Sequence, residues 1–410
     1  MLALLIATAS ALSPSWQTEG ALAAYCGAWT SVFDVTICVT AASWSTAANR
    51  AKCDHVANVM AQLLDNDADG MPDDAAVVAH MVNNSYVLWV PATEADAESE
   101  PPPNDGVSQM TGLWEAVPNS CDTPTNRGAS ATDRSTWAAA ADTSGLSCNP
   151  MRDATTEEVL HLVTAAAGAV FPAKWAPTYA SEAGAAIAAT NGNCGWGYEG
   201  TWIDPGGASP GCVGTYAYDD ATCDVGCIVV EGIYWAATSY IGGLYTQARA
   251  QAVSSEWLMA TPDDAMALAP SSGAANAVAL QSGSPALYAL VSDTISEGHA
   301  WLPAVMPDGE YTGAMPAATC ELCLGGGGDG DGDGDGGSQR RLTEAALPCC
   351  DGGARPGEHL GEQGAFDPRP RILLIVCGVA VALLCIADFY SRACGRTRRT
   401  RGRRQRRQGC

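Results

Sequence analysis

The chain has 410 residues, 47% of them hydrophobic, with a mean hydropathy near zero and a formal net charge of −24. Such a composition folds rather than staying disordered, and it suffices for one large domain or two smaller ones. Nine arginines lie beyond Asp388, leaving 12 Lys+Arg against 44 Asp+Glu before it, and this strongly acidic upstream part excludes nucleic acid as its partner.

In chain order, Met1 to Ala11 is short and apolar and ends in the small-residue patterns Ala7-Thr8-Ala9 and Ala9-Ser10-Ala11. It reads as a secretory signal peptide within residues 1–24, cleaved after these patterns or near Ala23. Residues 25–91 form a small helical subdomain. Val56, Val59, Met60, Leu63 and Leu64 recur at three and four residues and predict a helix over Ser45 to Leu64. Asp65 to Asp74 is a turn, Ala75 to Val82 a second helix, and Tyr86 to Val90 a strand. Asn83-Asn84-Ser85 is a glycosylation sequon at Asn83, which suits lumenal exposure. Residues 92–109, acidic with three consecutive prolines, read as a linker.

Residues 110–319 form the larger part, with Gly/Cys/Trp-rich loops between helices expected at Thr156–Ala167, Thr178–Thr190, Ile228–Tyr245, Pro262–Ala269 and Pro285–Asp293. Residues 320–370, opened by a Gly/Asp repeat, form a flexible stalk. Ile372 to Ala387 is apolar, extended by Phe389 and Tyr390, and comes close to spanning a bilayer core. Residues 371–390 are therefore expected as a transmembrane helix, and the arginine-rich tail 391–410 as cytoplasmic. Cys394, just past the span, is a candidate S-palmitoylation site. The expected location is the cell surface or a secretory-pathway membrane, single-pass and type I.

Thirteen of the 17 cysteines precede the apolar run, which suits an oxidising compartment; the odd number leaves at least one unpaired or bonded to another chain. Only Cys320-Cys323 has CxxC spacing, so a zinc ribbon, which needs two such pairs, is disfavoured. The absence of a G-x-S-x-G elbow, a P-loop and a Rossmann fingerprint counts against serine hydrolases, NTPases and dinucleotide enzymes. Trp196, Trp202 and Tyr216 to Asp220 form an aromatic cluster beside acids, suited either to stacking on sugar rings or to burial between disulfide-framed loops.

Two constellations carry metal chemistry. Asp65, Asp67 and Asp69 occupy positions 1, 3 and 5 of a loop with Gly70 at 6, where carboxylates converge on a hard cation. The Met71 carbonyl and Asp73 fill positions 7 and 9. With a helix on each side the loop is EF-hand-like, and calcium is the expected ion, although Ala76 stands where a bidentate glutamate closes the usual loop.

The second is Glu157-Glu158-Val159-Leu160-His161, which resembles the H-E-x-x-H helix of zincin metallopeptidases with glutamate in place of the first histidine. The resemblance implies Glu157 and His161 as ligands, Glu158 as general base, and, as in the gluzincin branch, a third ligand from a later helix, for which Glu231 is the candidate. Glu231 also interrupts an otherwise apolar run from Ile228 to Trp235, where a carboxylate is costly without a cation, metal or proton. The extra carboxylate shifts preference from zinc toward manganese or calcium. The same segment also fits an ordinary helix, with Thr155 and Glu158 as a capping box and Glu157, Glu158, His161 and Thr164 on a solvated face.

The expectation is a mainly α, disulfide-containing ectodomain, with α+β as the alternative. Its expected function is that of a calcium-binding, zincin-like surface protein, either a metal-dependent peptidase or amidohydrolase or the inactive relative of one. The alternative is a non-catalytic adhesion or glycan-binding ectodomain, with an extracellular peptide or glycan as partner.

Overall fold

The computed structural model describes residues 13–99, 107–120, 149, 151–205, 211–243, 257 and 275–313. Residues 1–12, the expected helix at 262–269, the stalk, the expected transmembrane helix 371–390 and the tail with Cys394 lie outside the described residues. Among the described residues, no helix is long and apolar enough to cross a membrane.

Helices predominate and one sheet joins them, so the class is mixed α and β, on the side of the α+β alternative. Strands β1 (Ala28–Val32) and β2 (Val35–Val39) form an antiparallel hairpin, paired from Ala28↔Val39 to Val32↔Val35. The two loop residues, Phe33 and Asp34, both have positive φ, the backbone a two-residue hairpin turn demands. Phe33 bears this unfavourable conformation while its ring meets Tyr311 edge-on at 6.4 Å. Strand β3 (Val87–Val90) adds parallel to β2 after a crossover through α1 (Ala47–Leu64) and α2 (Ala75–Asn83). Strand β4 (Ser108–Met110) adds parallel to β3 after the short helix α3 (Glu94–Ser99) and closes the sheet in the order β1-β2-β3-β4.

The sequence signalled β3 alone among these strands. Of the segment expected as a linker, 92–109, residues Glu94–Ser99 form α3 and Ser108 and Gln109 lie in the edge strand β4.

Alternation gives the sheet two faces. Cys38, Val87, Trp89 and Met110 form a small cluster on one. Ile37, Val39, Leu88 and Val90 join the main core on the other. That core also takes α4 (Thr155–Val170), α6 (Glu182–Asn191), α7 (Val225–Ile241) and α9 (Pro285–Ser292), while α5 (Pro172–Trp175) and α8 (Ala275–Gly283) fill the gaps. One apolar core thus runs across both parts expected on either side of residues 92–109. Residues 13–24, expected within the leader, also pack into the fold. Trp16 packs at a tilt against Trp44 and donates to Asp54 at 2.7 Å, and Gln17 bridges to Trp29.

Capping sets the helix starts: Thr46 before α1, Asp74 before α2, Ser181 before α6 and Asp224 before α7 each accept a first-turn N–H. Three disulfides are present among the described residues, Cys26–Cys38, Cys194–Cys212 and Cys223–Cys227. Cys53 is a buried free thiol that burial pushes up to about 12, so it stays protonated and inert. Asn83, the sequon residue, is exposed at the end of α2.

Candidate metal centre

Helix α4 is central to the architecture, packing against α1, α2, β4, α5 and α7. Asp153, just before it, anchors its start. One carboxylate oxygen accepts from the Val117 and Thr155 N–H groups at 3.2 Å each, and the other meets His55 Nε2 at 2.7 Å. Burial works against its charge, but the His55 bond and charge outweigh it and hold the Asp153 carboxyl below the usual range.

The capping-box reading is corrected. Thr155 is the first helical residue and Ala154 caps without a side-chain bond, because Asp153 takes the capping role from further upstream. The solvated-face reading is corrected too: Glu157, Glu158, His161 and Thr164 are all buried, at 2%, 7%, 8% and 2% exposure. Helix α7 covers that face.

Glu157 and His161 lie one turn apart on α4, and Glu231 reaches them from α7. One ligand atom from each lies within 4.8 Å of the other two, and all three residues are buried. His161 Nε2 stands 3.6 Å from Glu231 Oε2, too far for a hydrogen bond, and neither atom has another hydrogen-bond partner. Glu157 pairs with the Arg152 guanidinium. On the other side of the imidazole, Nδ1 lies 3.6 Å from Glu158 Oε2, which accepts from Gln109 Nε2 at 2.6 Å. The Tyr234 ring packs edge-on against His161.

The electrostatics follow from crowding carboxylates in a dry site. Burial pushes the Glu157 carboxyl up, opposed by Arg152 and reinforced by Glu231 and Glu158. Burial alone would lower His161, but Glu231 and Glu158 overcome it and raise its affinity for a proton well above the ordinary value. Protons and Arg152 therefore supply the positive charge these carboxylates require. A divalent ion supplies the same charge at one point.

The donor set fits such an ion: one imidazole and two carboxylates suit zinc or a harder dication such as manganese. Ligand bonds of about 2.1 Å place neighbouring ligand atoms roughly 3–3.5 Å apart, close to the 3.6 Å between His161 Nε2 and Glu231 Oε2, so the adjustment falls mainly on Glu157.

In the loop from Asp65 to Asp73, the carboxylates of Asp65, Asp67 and Asp73 lie within 4.8 Å of one another. Asp69 is not in that group; its Oδ1 accepts from Met71 N at 2.8 Å, while the Met71 side chain is exposed. Gly70, at φ +92°, makes the turn and donates to Asp65 at 2.9 Å. Asp65 is buried and also accepts from the Tyr311 hydroxyl. Burial, opposed by two Asn66 bonds and aided by Asp65 and Asp67, raises Asp73.

The remaining candidates have structural employment. His55 pairs with Asp153, and His299 donates to or accepts from nothing in the centre, packing on Trp175 with Nδ1 3.0 Å from the Leu290 carbonyl. Trp196 and Tyr216 are buried edge to face in the core. Sequence reasoning missed Gln109, Arg152 and the Asp153–His55 pair. Comparisons with protein-family models, curated proteins and solved structures find no match.

Proposed function

We propose that this is a metal-binding protein of zincin-like design, holding a divalent cation on Glu157, His161 and Glu231 and calcium on the loop of Asp65, Asp67 and Asp73. The observation that carries the reading is the convergence beside Glu157 of two buried atoms that make no hydrogen bond, His161 Nε2 and Glu231 Oε2. Buried polar atoms without partners are costly and rare, and a shared cation removes the cost at both.

Bound there, the ion would act as a Lewis acid and supply metal-assisted hydrolysis of a peptide or related amide. Around it, this chain's residues orient and exclude water: α4 and α7 wall the centre, and Tyr234 closes one side of His161. A second reading, a metal-holding relative without hydrolytic activity, is favoured by one observation: the Glu158 oxygen beside His161 is already held by Gln109 and lies at Nδ1, away from Glu231. The glycan-binding alternative has less support, since Trp196 is buried rather than displayed and Trp202 is half-buried.

The test is metal content of the purified full-length chain beside a His161→Ala/Glu231→Ala double variant. Under this reading the wild type carries one zinc or manganese that the variant loses, and both keep calcium. Equal content in the two proteins rejects the centre.

A further inference from the structure

Gln109 reaches the centre by strand register. It pairs with Leu88 in the neighbouring strand, which pairs with Ile37 in the next, and both of those face the main core. The flanking Met110 points to the opposite face, into the small cluster. Alternation along β4 therefore directs Gln109 toward α4. There its amide donates to Glu158 Oε2 at 2.6 Å, and the same oxygen stands 3.6 Å from His161 Nδ1, an ion-pair distance that a shift of roughly half an ångström would turn into a hydrogen bond. A carboxylate oxygen can only accept from an amide NH₂, so this bond fixes which way both groups point.

A histidine that gives Nε2 to a metal keeps its proton on Nδ1. An acceptor at Nδ1 then sets the tautomer and ring plane and strengthens the ligand. Glu158 Oε2 lies on that side of the ring, while Nε2 faces Glu231 on the other.

We propose that Gln109 and Glu158 are positioning residues of the metal centre: Gln109 holds Glu158 Oε2 against the Nδ1 edge of His161, and Glu158 serves to orient that ligand rather than to take a proton from water. The inference rests on the metal-centre reading above. It reverses the role the motif resemblance implies for Glu158, and it assigns one to a residue of the sheet edge.

The experiment is calorimetric titration of Zn²⁺ and Mn²⁺ into the full-length protein with calcium saturating, for wild type, Gln109→Leu, Glu158→Gln and the isosteric Gln109→Glu. The last serves if Gln109→Leu fails to fold. The expected result is roughly a 10–100-fold weaker Kd in each variant, the usual effect of losing an outer partner of a metal-bound histidine. In histidine-¹⁵N-labelled, zinc-loaded wild type, the His161 Nδ1–H proton should be protected from exchange, and in the variants it should not. A merely structural role would change melting temperature and leave that proton alone. If the wild type binds metal and the variants match it within two-fold, Glu158 is not an orienting group and the inference fails while the centre stands. If the wild type binds neither ion, the centre itself is rejected, and this inference with it.

Discussion

Glu231→Gln separates a metal ligand from a structural ion-pair partner. At 3.6 Å, an imidazolium at His161 attracts an ionised Glu231 by about 4–5 kcal/mol with an effective dielectric constant near 20. The cost of taking both charges out of water is of similar size and offsets most of that attraction. His161 can also release its proton once Glu231 is neutral. The metal-free variant should therefore melt close to the wild type, within about 1 kcal/mol, or about 2–4 °C for a domain of this size.

Metal reverses the comparison. At a free concentration of about 100 Kd, a ligand that binds only the folded state adds about 2.7 kcal/mol, and the wild-type midpoint should rise by about 5–11 °C. The variant should not move. Differential scanning calorimetry with and without Mn²⁺, calcium saturating throughout, reads both quantities. A metal-free variant that loses about 3–5 kcal/mol, beside a wild type that metal does not shift, would refute the reasoning and make Glu231 a plain counter-ion of His161.

Asp153→Ala should cost about 3–5 kcal/mol at neutral pH in chemical denaturation, because it leaves buried His55 and two N–H groups without their acceptor. Since the folded carboxyl is held below its unfolded value of about 3.9, its contribution is present above that pH and lost as pH falls through the folded value. The variant's stability should consequently decline less than the wild type's on acidification. Glu115→Gln should act in the opposite sense. Burial, with Glu158 adding to it, pushes the Glu115 carboxyl up to about 7, so wild-type stability falls as pH rises through that value. The variant should match the wild type near pH 4 and exceed it by about 1–2 kcal/mol near pH 8.5; equal stability at both would place Glu115 in water. Gly309→Ala should destabilise by about 1–3 kcal/mol, because φ is +78° and the new Cβ would lie 2.1 Å from His55 Nδ1. A melting point unchanged from wild type would contradict that packing.

The long elements were legible because their signal is local. Apolar residues at three and four spacings mark α1, α4 and α7, and the Asp65 to Gly70 loop carries its turn chemistry in consecutive residues. Strand β3 stands out as an unbroken apolar run, whereas β1, β2 and β4 are short segments broken by Thr30, Ser31, Thr36, Ser108 and Gln109, and pairing in the sheet defines them. The same limit applied to the segment 92–109, whose prolines and acids suggest a linker while its last residues enter the sheet.

For the centre, sequence alone determined the ingredients: a carboxylate and an imidazole one helical turn apart, and a glutamate stranded in an apolar helix. Both follow from helix periodicity and from the cost of burying charge, which need no knowledge of the fold. Only tertiary structure decided that α7 lies over that face of α4, turning an apparent solvated stripe into a buried convergence of Glu157, His161 and Glu231. It alone also placed Gln109 on Glu158, Arg152 on Glu157 and His55 on Asp153. Gln109 and His55 lie 49 and 98 residues from their partners, and helix packing and sheet register, which no local pattern encodes, bring each pair within hydrogen-bond reach.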